Sequence, residues 1–519
     1  MAPCSKSIDC VGRGPTERII NIVPAKTTIV FLNRQYMLQE LQFPGEWDVC
    51  IIGGGATGLG IAVDAASRGL KTLLLEQHDF AKGTSSRSTK LVHGGVRYLQ
   101  QGNIRLVTEA LKERGLLLKN APHLVHNQQF IVPNYKWWEG PFYGIGLKIY
   151  DWMAGRLGLG PSQFLSRQET LQRAPSLDPE GLRGSIAYHD GQFDDARLAI
   201  DLAKTAAANE AILLNYFPVT SLIKTSGSLH GVRAMDQLTG TEYEIRSKAV
   251  VNATGVFTDR VLQMDDQHHE KMIAPSQGVH LVVDGDFLPG NAAILIPRTD
   301  DGRVLFAVPW HNKIVLGTTD TPVSDVSIEP IALPQEISFI LKHAGRYLSR
   351  DPQASDVRSV FAGLRPLVKG KSKTTAALSR DHLISVSSSG LISVLGGKWT
   401  TYRRMAEDAV DMLVQKFGLR AKPCITQELR LAGHDKPAPD PVSLHRENIR
   451  KCIAEEMCMT VEDYLSRRTR LLLLDAMAAK SAAPQVARQM AEEMGKDVKW
   501  IEQQIVSFER IAENYIIND

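Results

Sequence analysis

The fold is decided by one stretch, Trp47–Glu76, whose sequence reads WDVCIIGGGATGLGIAVDAASRGLKTLLLE. Its apolar run DVCII predicts a short, buried parallel strand. Gly53, Gly55 and Gly58 then follow the G-x-G-x-x-G spacing, and the small apolar residues after them predict a helix packed against a sheet. A second apolar run, TLLL, predicts another strand and ends at Glu76. The stretch therefore predicts a β-α-β dinucleotide-binding unit.

Each part of this unit suits one portion of a dinucleotide. The first glycine allows a tight turn, the second lets a pyrophosphate approach the backbone, and the third lets helix and strand pack closely. The helix start at Ala56 and Thr57 offers N–H groups and a positive dipole to phosphate. Glu76 can accept hydrogen bonds from both hydroxyls of an adenosine ribose. Such an acid suits both NAD and FAD, so this stretch alone leaves the dinucleotide open.

Composition indicates an ordinary globular protein. The 519 residues are enough for two or three domains, and the 43% hydrophobic and 23% charged fractions are typical of soluble chains. A net charge of +3 with no basic stripe predicts no nucleic-acid binding. The six cysteines include no C-x-x-C, which indicates a reducing compartment and predicts neither a disulfide framework nor a metal site. No apolar run approaches the length of a membrane span.

Residues 1–40 are predicted to be an N-terminal extension. Their basic residues outnumber Asp9 and Glu17, and no secretory signal is present. A cleaved organellar presequence, a disordered tail, and a true start near Met37 are three open interpretations.

The nucleotide-binding unit recurs in pieces that lie far apart in the chain. Strand-like runs at Lys248–Asn252 and Leu391–Leu395 each precede a glycine turn. This spacing is typical of a nucleotide domain interrupted by insertions, and alternating strand patterns in the insertions predict an antiparallel cap sheet that selects substrate. We therefore predict an α/β fold made of a Rossmann-like FAD-binding or NAD-binding domain (41–125, 186–270, 361–405), an antiparallel-sheet cap domain (126–185, 271–360) and a C-terminal helical domain (406–519).

A polar segment, Gly83–Tyr98, follows the acid that ends the second strand. Its sequence is GTSSRSTKLVHGGVRY, and its position predicts that it passes over the cofactor at the carboxyl edge of the sheet. Hydroxyls and backbone N–H groups there suit phosphates or ribityl oxygens, and the two glycines after His93 let the backbone approach a flat ring. The predicted cofactor contacts in this segment are Thr84, Ser85, Ser86, Thr89, Lys90, Leu91, His93, Gly94 and Gly95.

At this point the chain resembles the FAD-dependent glycerol-3-phosphate dehydrogenases. The resemblance rests on Gly53–Tyr98, Gly363–Leu367, Ser379–His382 and Gly396–Arg403, which occur in the family's order between about residues 40 and 405. The family belongs to the larger group of glycine-oxidase-like flavoproteins. The resemblance implies non-covalent FAD rather than NAD, and electrons passed to a quinone at a membrane surface. It adds six cofactor contacts: Thr254, Gly255, Gly397, Lys398, Trp399 and Thr400.

The resemblance also implies a reaction, in which hydride moves from C2 of sn-glycerol 3-phosphate to flavin N5 and dihydroxyacetone phosphate forms. It points to Arg97, Arg365 and Arg380 as substrate ligands, because the planar guanidinium fork binds phosphate oxygens bidentately. Tyr98 would form a hydrogen-bonding wall of the site. Lys398 would lie near the isoalloxazine, where it stabilises reduced flavin or contacts substrate.

His93 is the candidate base for the C2 hydroxyl, because an imidazole titrates near neutral pH. A structural role, with His93 bound to backbone or flavin, is the equal alternative; His311 and His382 are weaker candidates for the base. The predicted catalytic residues are therefore His93, Arg365 and Lys398.

Aromatic residues crowd the segment 136–152, with Lys136 and Lys148 among them. They are Trp137, Trp138, Phe142, Tyr143, Tyr150 and Trp152. Aromatics with nearby basic residues are typical of an interfacial membrane surface, but a buried helix of the cap domain has the same composition. Both interpretations stay open.

Several alternatives remain for function. The leading prediction is a quinone-linked dehydrogenase at the periphery of a membrane. A homodimer is one possible assembly. An oxidase of the same family that reduces oxygen to peroxide is the nearest alternative. A glycine-oxidase-like amine oxidase would need no phosphate clamp, so the three matched arginines count against it. A non-catalytic flavoprotein would have no need for His93, Arg97, Arg365 and Lys398, so their presence counts against that class. Because the tail has no calcium-binding loop, we expect the cytoplasmic face of a bacterial inner membrane, or the mitochondrial inner membrane if the host is eukaryotic.

Overall fold

The computed structural model describes residues 32–95, 103–369 and 382–517. Within these residues the strands are β1 Trp47–Ile52, β2 Thr72–Leu75, β3 Leu91–Val92, β4 Val125–Asn134, β5 Gln163–Ser166, β6 Gly184–Phe193, β7 Ile212–Leu214, β8 Val219–Thr225, β9 Ser228–Asp236, β10 Thr241–Asn252, β11 Ile273–Asp284, β12 Ala293–Ile296, β13 Leu305–Trp310, β14 Lys313–Gly317, β15 Thr321–Pro322, β16 Val357–Val368, β17 His382–Val386 and β18 Ile392–Gly396. The α-helices are α1 Arg34–Gln42, α2 Ala56–Ser67, α3 Ile104–Asn120, α4 Glu139–Ala154, α5 Arg167–Arg173, α6 Asp195–Ala208, α7 Thr258–Asp265, α8 Pro334–Gly345, α9 Tyr402–Phe417, α10 Arg446–Glu456, α11 Val461–Asp463, α12 Leu471–Leu474, α13 Ala476–Met494 and α14 Val498–Glu513.

The first sheet is the nucleotide-binding sheet. Its strand order is β17-β18-β10-β1-β2-β7, and the neighbours from β18 to β7 run parallel. Strand β1 is buried along almost its whole length, as the apolar run predicted, and α2 packs between the sheet and α6. The three separate chain pieces therefore assemble one parallel sheet, because their apolar strands are buried on both faces.

The second sheet forms the cap. Its order is β15-β11-β14-β13-β12-β4-β6-β3, with β16 paired to β11 and β5 to β6. Its pairs are antiparallel, except that β12 runs parallel to β4. Strand β16 crosses the predicted boundary at residue 360, because its pairing with β11 continues from Val357 to Val368. It thereby carries residues from the cap sheet to the edge of the nucleotide-binding domain.

The C-terminal helices pack into a core of their own. Helices α10 to α14 bury residues such as Leu465, Val486 and Phe508, and this cluster contacts Trp310 and Phe361 of the cap sheet. The fold class predicted from sequence is confirmed: an α/β FAD-binding fold with a second sheet and a helical C-terminal region.

The end of the predicted extension belongs to the packed structure. Leu32 is buried and pairs with Glu456, and Arg34 forms an ion pair with Asp236 at 2.6 Å. Asn33 caps α1 by accepting from the Tyr36 N–H group. Residues 1–31, which include the candidate presequence, lie outside the described residues.

Candidate active site

A cleft runs along the carboxyl ends of the parallel strands. Twelve residues predicted as cofactor contacts line it: Gly53, Gly55, Ala56, Thr57, Glu76, Thr84, Ser85, Thr254, Gly255, Gly397, Lys398 and Trp399. They come from the three chain pieces of the nucleotide-binding sheet. The cleft therefore lies where ligands of open α/β sheets bind.

The turn between β1 and α2 is tight and leaves no room for side chains at two of its glycines. Gly53 has φ +110°, which side chains rarely adopt, and a Cβ on Gly58 would lie 1.9 Å from the Gly53 carbonyl oxygen. The start of α2 has no side-chain cap at Gly55, although the Ala56 N–H group donates to Ser85 Oγ at 2.9 Å. A phosphate can therefore approach the backbone of this turn closely.

Glu76 closes the adenosine side of the cleft. Its carboxylate accepts from the Gly54 N–H group at 2.6 Å and from the His78 N–H group at 2.8 Å. Burial raises the pKa of Glu76, against the opposing effect of these two donors. A half-buried acid beside a glycine turn and a helix start is the donor and acceptor set that the ribose and pyrophosphate of FAD require, so the residues of the cleft fit FAD.

A cavity of about 560 Å³ adjoins the cleft. Its lining includes polar residues and apolar residues: Thr89, His93, Thr318, Thr319, Asp320 and Arg365 are polar, while Val132, Leu147, Tyr188, Leu295 and Phe306 form an apolar part. Arg365 lines this cavity while the next residue, Pro366, lines the cleft. The cavity therefore meets the cleft beside Arg365.

Arg365 is held in place by acceptors on neighbouring strands. It projects from β16, and its Nη1 donates to the Gln277 carbonyl at 3.3 Å and to Asp320 Oδ1 at 3.4 Å. Its Nη2 donates to Thr318 Oγ1 at 3.1 Å, and the side chain keeps 22% exposure. A guanidinium fixed in this way can meet a ligand without a large loss of side-chain entropy.

The backbone at His93 is fixed by contacts on both sides. Its N–H group donates to Thr400 Oγ1 at 3.3 Å, and the next N–H group, of Gly94, donates to the Tyr150 hydroxyl at 2.8 Å. The imidazole meets the ring of Phe306 edge-on, with centroids 6.3 Å apart. His93 therefore faces the cavity from a rigid loop.

A buried histidine lies behind Thr89 of the cavity lining. His280 Nε2 lies 2.8 Å from Thr89 Oγ1, and its ring stacks on Phe361. Burial, Arg365 and Lys90 lower the pKa of His280 well below its usual value. This imidazole is neutral at physiological pH and orients the Thr89 hydroxyl. The sequence argument missed it, because a histidine inside an apolar strand carries no distinctive pattern.

Two residues predicted as cofactor contacts, Lys90 and Leu91, turn away from the cleft. Lys90 is fully buried in an ion pair with Asp195 at 2.8 Å, and its Nζ also donates to the Ser86 carbonyl. Leu91 packs in the core of the cap. Their side chains support the polar segment instead, because a lysine without solvent needs a carboxylate partner. Asp195, 105 residues away, was not identifiable as that partner from sequence.

Other predicted residues are placed elsewhere or lie outside the described part. Arg97, Tyr98 and Arg380 fall outside the described residues. His382 lies 2.9 Å from Asp408, and His311 lies at the turn between β13 and β14, 3.7 Å from Asp194. Neither histidine lines the cavity. Thr318, Thr319 and Asp320 were missed, although a polar run after an apolar strand was the available signal.

The aromatic segment forms a helix with two different faces. In α4, Leu147 and Tyr150 are buried, while Phe142, Ile145 and Ile149 are exposed. Trp137 and Trp152 are 77% and 82% exposed. Phe142, Ile145 and Ile149 also line the cavity, so the apolar part of its lining continues to this exposed face. Among the described residues, we find no helix long and apolar enough to cross a bilayer.

Comparison with known proteins identifies the family. Residues 48–403 match the family described as FAD dependent oxidoreductase, and residues 370–501 match the C-terminal domain of alpha-glycerophosphate oxidase. The chain is 40% identical over 536 residues to the mitochondrial glycerol-3-phosphate dehydrogenase of Mus musculus, covering 91% of this chain and 73% of that protein. It is 44% identical over 430 residues to the enzyme of that name from Schizosaccharomyces pombe, covering 77% of this chain and 66% of that protein.

Solved structures agree with this assignment. The glycerol-3-phosphate dehydrogenase of Bacillus halodurans, complexed with FAD, superposes with a TM-score of 0.77 at 31% identity, covering 94% of this chain and 99% of that one. Glycine oxidase from Geobacillus kaustophilus has a TM-score of 0.53 at 21% identity, covering 72% of this chain and 95% of that one, and shares the fold alone. The chain belongs to the family of FAD-dependent glycerol-3-phosphate dehydrogenases.

Proposed function

We propose that this protein oxidises sn-glycerol 3-phosphate to dihydroxyacetone phosphate and passes the electrons to a membrane quinone. The observation that carries the proposal is the cavity next to the cofactor cleft, whose lining includes both Arg365 and His93. A fixed guanidinium suits a phosphate group, and an imidazole suits a hydroxyl proton. Names of related proteins support the same substrate.

The site residues divide the work. Arg365 binds the phosphate and orients the substrate. An imidazole nitrogen of His93 accepts the proton of the C2 hydroxyl, while Lys398 contributes positive charge from the cleft. FAD, when bound, supplies a hydride acceptor at N5. The apolar residues around the cavity exclude water from the reacting carbon.

Anaerobic titration tests this function. We expect glycerol 3-phosphate to bleach the bound flavin at one equivalent, because the alcohol carbon gives up its hydride. Lactate, glycine and glycerol, which lack the phosphate, should leave the flavin oxidised. Flavin that stays oxidised with glycerol 3-phosphate would overturn the proposal.

The role of His93 is tested by His93→Gln, which keeps hydrogen bonding but removes the basic nitrogen. We expect flavin reduction in stopped flow to slow about 100-fold, the usual contribution of a general base. Substrate affinity and the flavin spectrum should change little, since the Gly94 and Thr400 contacts use backbone and not the imidazole. An unslowed reduction with intact binding would assign His93 a structural role.

The electron acceptor has two candidates. The continuity between the cavity and the exposed face of α4 favours a lipid-soluble quinone. The match of residues 370–501 to a domain named for an oxidase favours oxygen as the alternative. Turnover with a quinone analogue and little peroxide formation supports the quinone as acceptor. Rapid oxygen consumption with stoichiometric peroxide, and no increase in turnover when the quinone analogue is added, supports the oxidase.

We propose that the exposed apolar residues of α4, with Trp137 and Trp152, contact the membrane. Interfacial aromatics contribute binding energy in proportion to their buried area. The double variant Trp137→Ser/Trp152→Ser should therefore co-sediment about tenfold less with phosphatidylcholine–cardiolipin vesicles. Phe43→Ser, at another exposed aromatic far along the chain, is the matched control. Undiminished binding of the double variant would remove α4 from the membrane surface.

For location, we propose the mitochondrial inner membrane rather than the bacterial alternative. The support is the naming of relatives from Mus musculus, Homo sapiens and Schizosaccharomyces pombe as mitochondrial, at 40 to 44% identity. Cell fractionation that finds the protein in another membrane would contradict this.

A further inference from the structure

The C-terminal helical domain sends a short basic segment into the FAD-binding domain. We name Arg467–Arg470 the arginine segment. Its three arginines are only 2%, 2% and 1% exposed, at the junction of a π-helix (Tyr464–Arg468) and α12. Charges buried this deeply need close partners. These partners are Asp79, on a turn beside the cleft, and Asp194, at the start of α6.

The first partner is Asp79. Arg468 holds it bidentately, with Nη1 and Nη2 each 2.8 Å from a carboxylate oxygen, and Arg467 Nε lies 2.5 Å from Oδ2. Burial alone would raise the pKa of Asp79, but Arg468 and Arg467 outweigh burial and lower it to about 2. Asp79 is therefore ionised and fixed at physiological pH.

Asp79 anchors the turn that carries Glu76. Its carbonyl accepts from the Lys82 N–H group at 3.1 Å, and Ala81 donates to the Gly54 carbonyl at 2.9 Å. Lys82 Nζ also reaches Glu462 of the C-terminal domain at 2.7 Å. Lys82 and Glu76 both line the cleft, so the position of its adenosine side depends on Asp79.

The second partner is Asp194. Arg470 Nε lies 2.8 Å from its Oδ2, and Asp194 caps α6 by accepting from the Arg197 N–H group at 3.1 Å. The neighbouring Asp195 holds Lys90 and accepts from the Ser88 N–H and hydroxyl groups at 3.0 and 2.7 Å. These contacts place the polar segment that runs on to His93.

We propose that the arginine segment positions both halves of the FAD site from outside it. Arg467 and Arg468 set the affinity for the adenosine half through Asp79, and Arg470 sets the affinity for the flavin half through Asp194. None of the three arginines lines the cleft, so they are positioning residues. The inference rests on FAD binding by this family and is independent of the electron acceptor.

The test compares Arg468→Gln and Arg470→Gln with Arg68→Gln as the control. Arg68 is also buried and pairs with Asp64 at 2.7 Å, at the end of α2 opposite to the glycine turn and away from Asp79 and Asp194. Dissociation constants for FAD are measured on apoprotein by flavin fluorescence, and those for ADP by calorimetry as a probe of the adenosine half. Melting temperatures are recorded with and without FAD, because ligand stabilisation reports affinity separately from stability.

We expect Arg468→Gln to weaken FAD and ADP binding about tenfold, since a bidentate charged contact is lost. Arg470→Gln should weaken FAD binding about as much and leave the dissociation constant for ADP unchanged. Arg68→Gln should lower the melting temperatures of apoprotein and holoprotein equally, with both dissociation constants kept. If Arg468→Gln does not fold, Arg468→Lys, which keeps the charge but loses the fork, takes its place. Unchanged FAD and ADP affinities in the Arg468 and Arg470 variants, with only melting lowered, would overturn the proposal.

Discussion

Gly58→Ala is expected to yield protein without bound flavin. A Cβ at this position would lie 1.9 Å from the Gly53 carbonyl oxygen, and the clashing atom is backbone that cannot rotate away. Relief requires α2 to move away from the glycine turn, where we expect the pyrophosphate to bind. Overpacking of this kind costs about 3 kcal/mol, so FAD should bind at least about 100-fold more weakly. The measurement is flavin absorbance of the purified protein and fluorescence titration of the apoprotein.

Gly146→Ala is the control for this substitution. Gly146 lies in α4, and a Cβ there meets nothing within 4 Å. It should keep full flavin occupancy. Circular dichroism separates lost affinity from lost folding in the Gly58 variant. Full flavin occupancy in Gly58→Ala would show that the turn tolerates a side chain. It would also show that FAD binding does not depend on the close approach of Gly58 to the Gly53 carbonyl.

Arg365→Gln is expected to lower kcat/KM for glycerol 3-phosphate about 1000-fold. Two charge-assisted hydrogen bonds to phosphate together are worth about 4 kcal/mol. The loss also leaves Asp320, which Arg365 now partly neutralises, facing the phosphate with its own negative charge. The variant should in addition lose most of its preference for glycerol 3-phosphate over glycerol, which steady-state kinetics with both substrates will measure.

Arg303→Gln is the matched control, because Arg303 lines the same cavity. Its guanidinium is already paired with Asp301 and lies over the ring of Phe339. We expect less than about a threefold change in kcat/KM, because this guanidinium is already engaged by the Asp301 carboxylate. If Arg303→Gln lowers kcat/KM as much as Arg365→Gln does, Arg303 also contributes to phosphate binding and the assignment of the phosphate to Arg365 alone is wrong.

Local sequence was enough for the nucleotide-binding unit. Strands β1 and β2, the start of α2 and the acid Glu76 form one continuous stretch, so their spacing alone predicts their geometry. The interruption of the sheet was also predictable, since runs such as Lys248–Asn252 are apolar and end in glycine turns. Chain order within a parallel sheet leaves few arrangements for such pieces.

Contacts between distant segments were not predictable. Lys90 is a lysine in a polar loop by composition, and only its burial against Asp195 excludes its side chain from the cleft. Asp320 lines the cavity and His280 lies behind Thr89, and the pairing of strands in the cap sheet brings both of them there. The aromatic segment had two open interpretations, and its composition did not specify that α4 has one buried and one exposed face.

The sequence by itself determined the dinucleotide-binding unit, the fold class and the family resemblance, because each depends on residues close together in the chain or on motifs in a given order. Only the tertiary structure decided how Arg365 is held by Asp320 and Thr318, and how the arginine segment reaches Asp79 across 388 residues. The physical reason is burial. A buried charge must find its partner in space, and sequence spacing does not specify which distant segment supplies it.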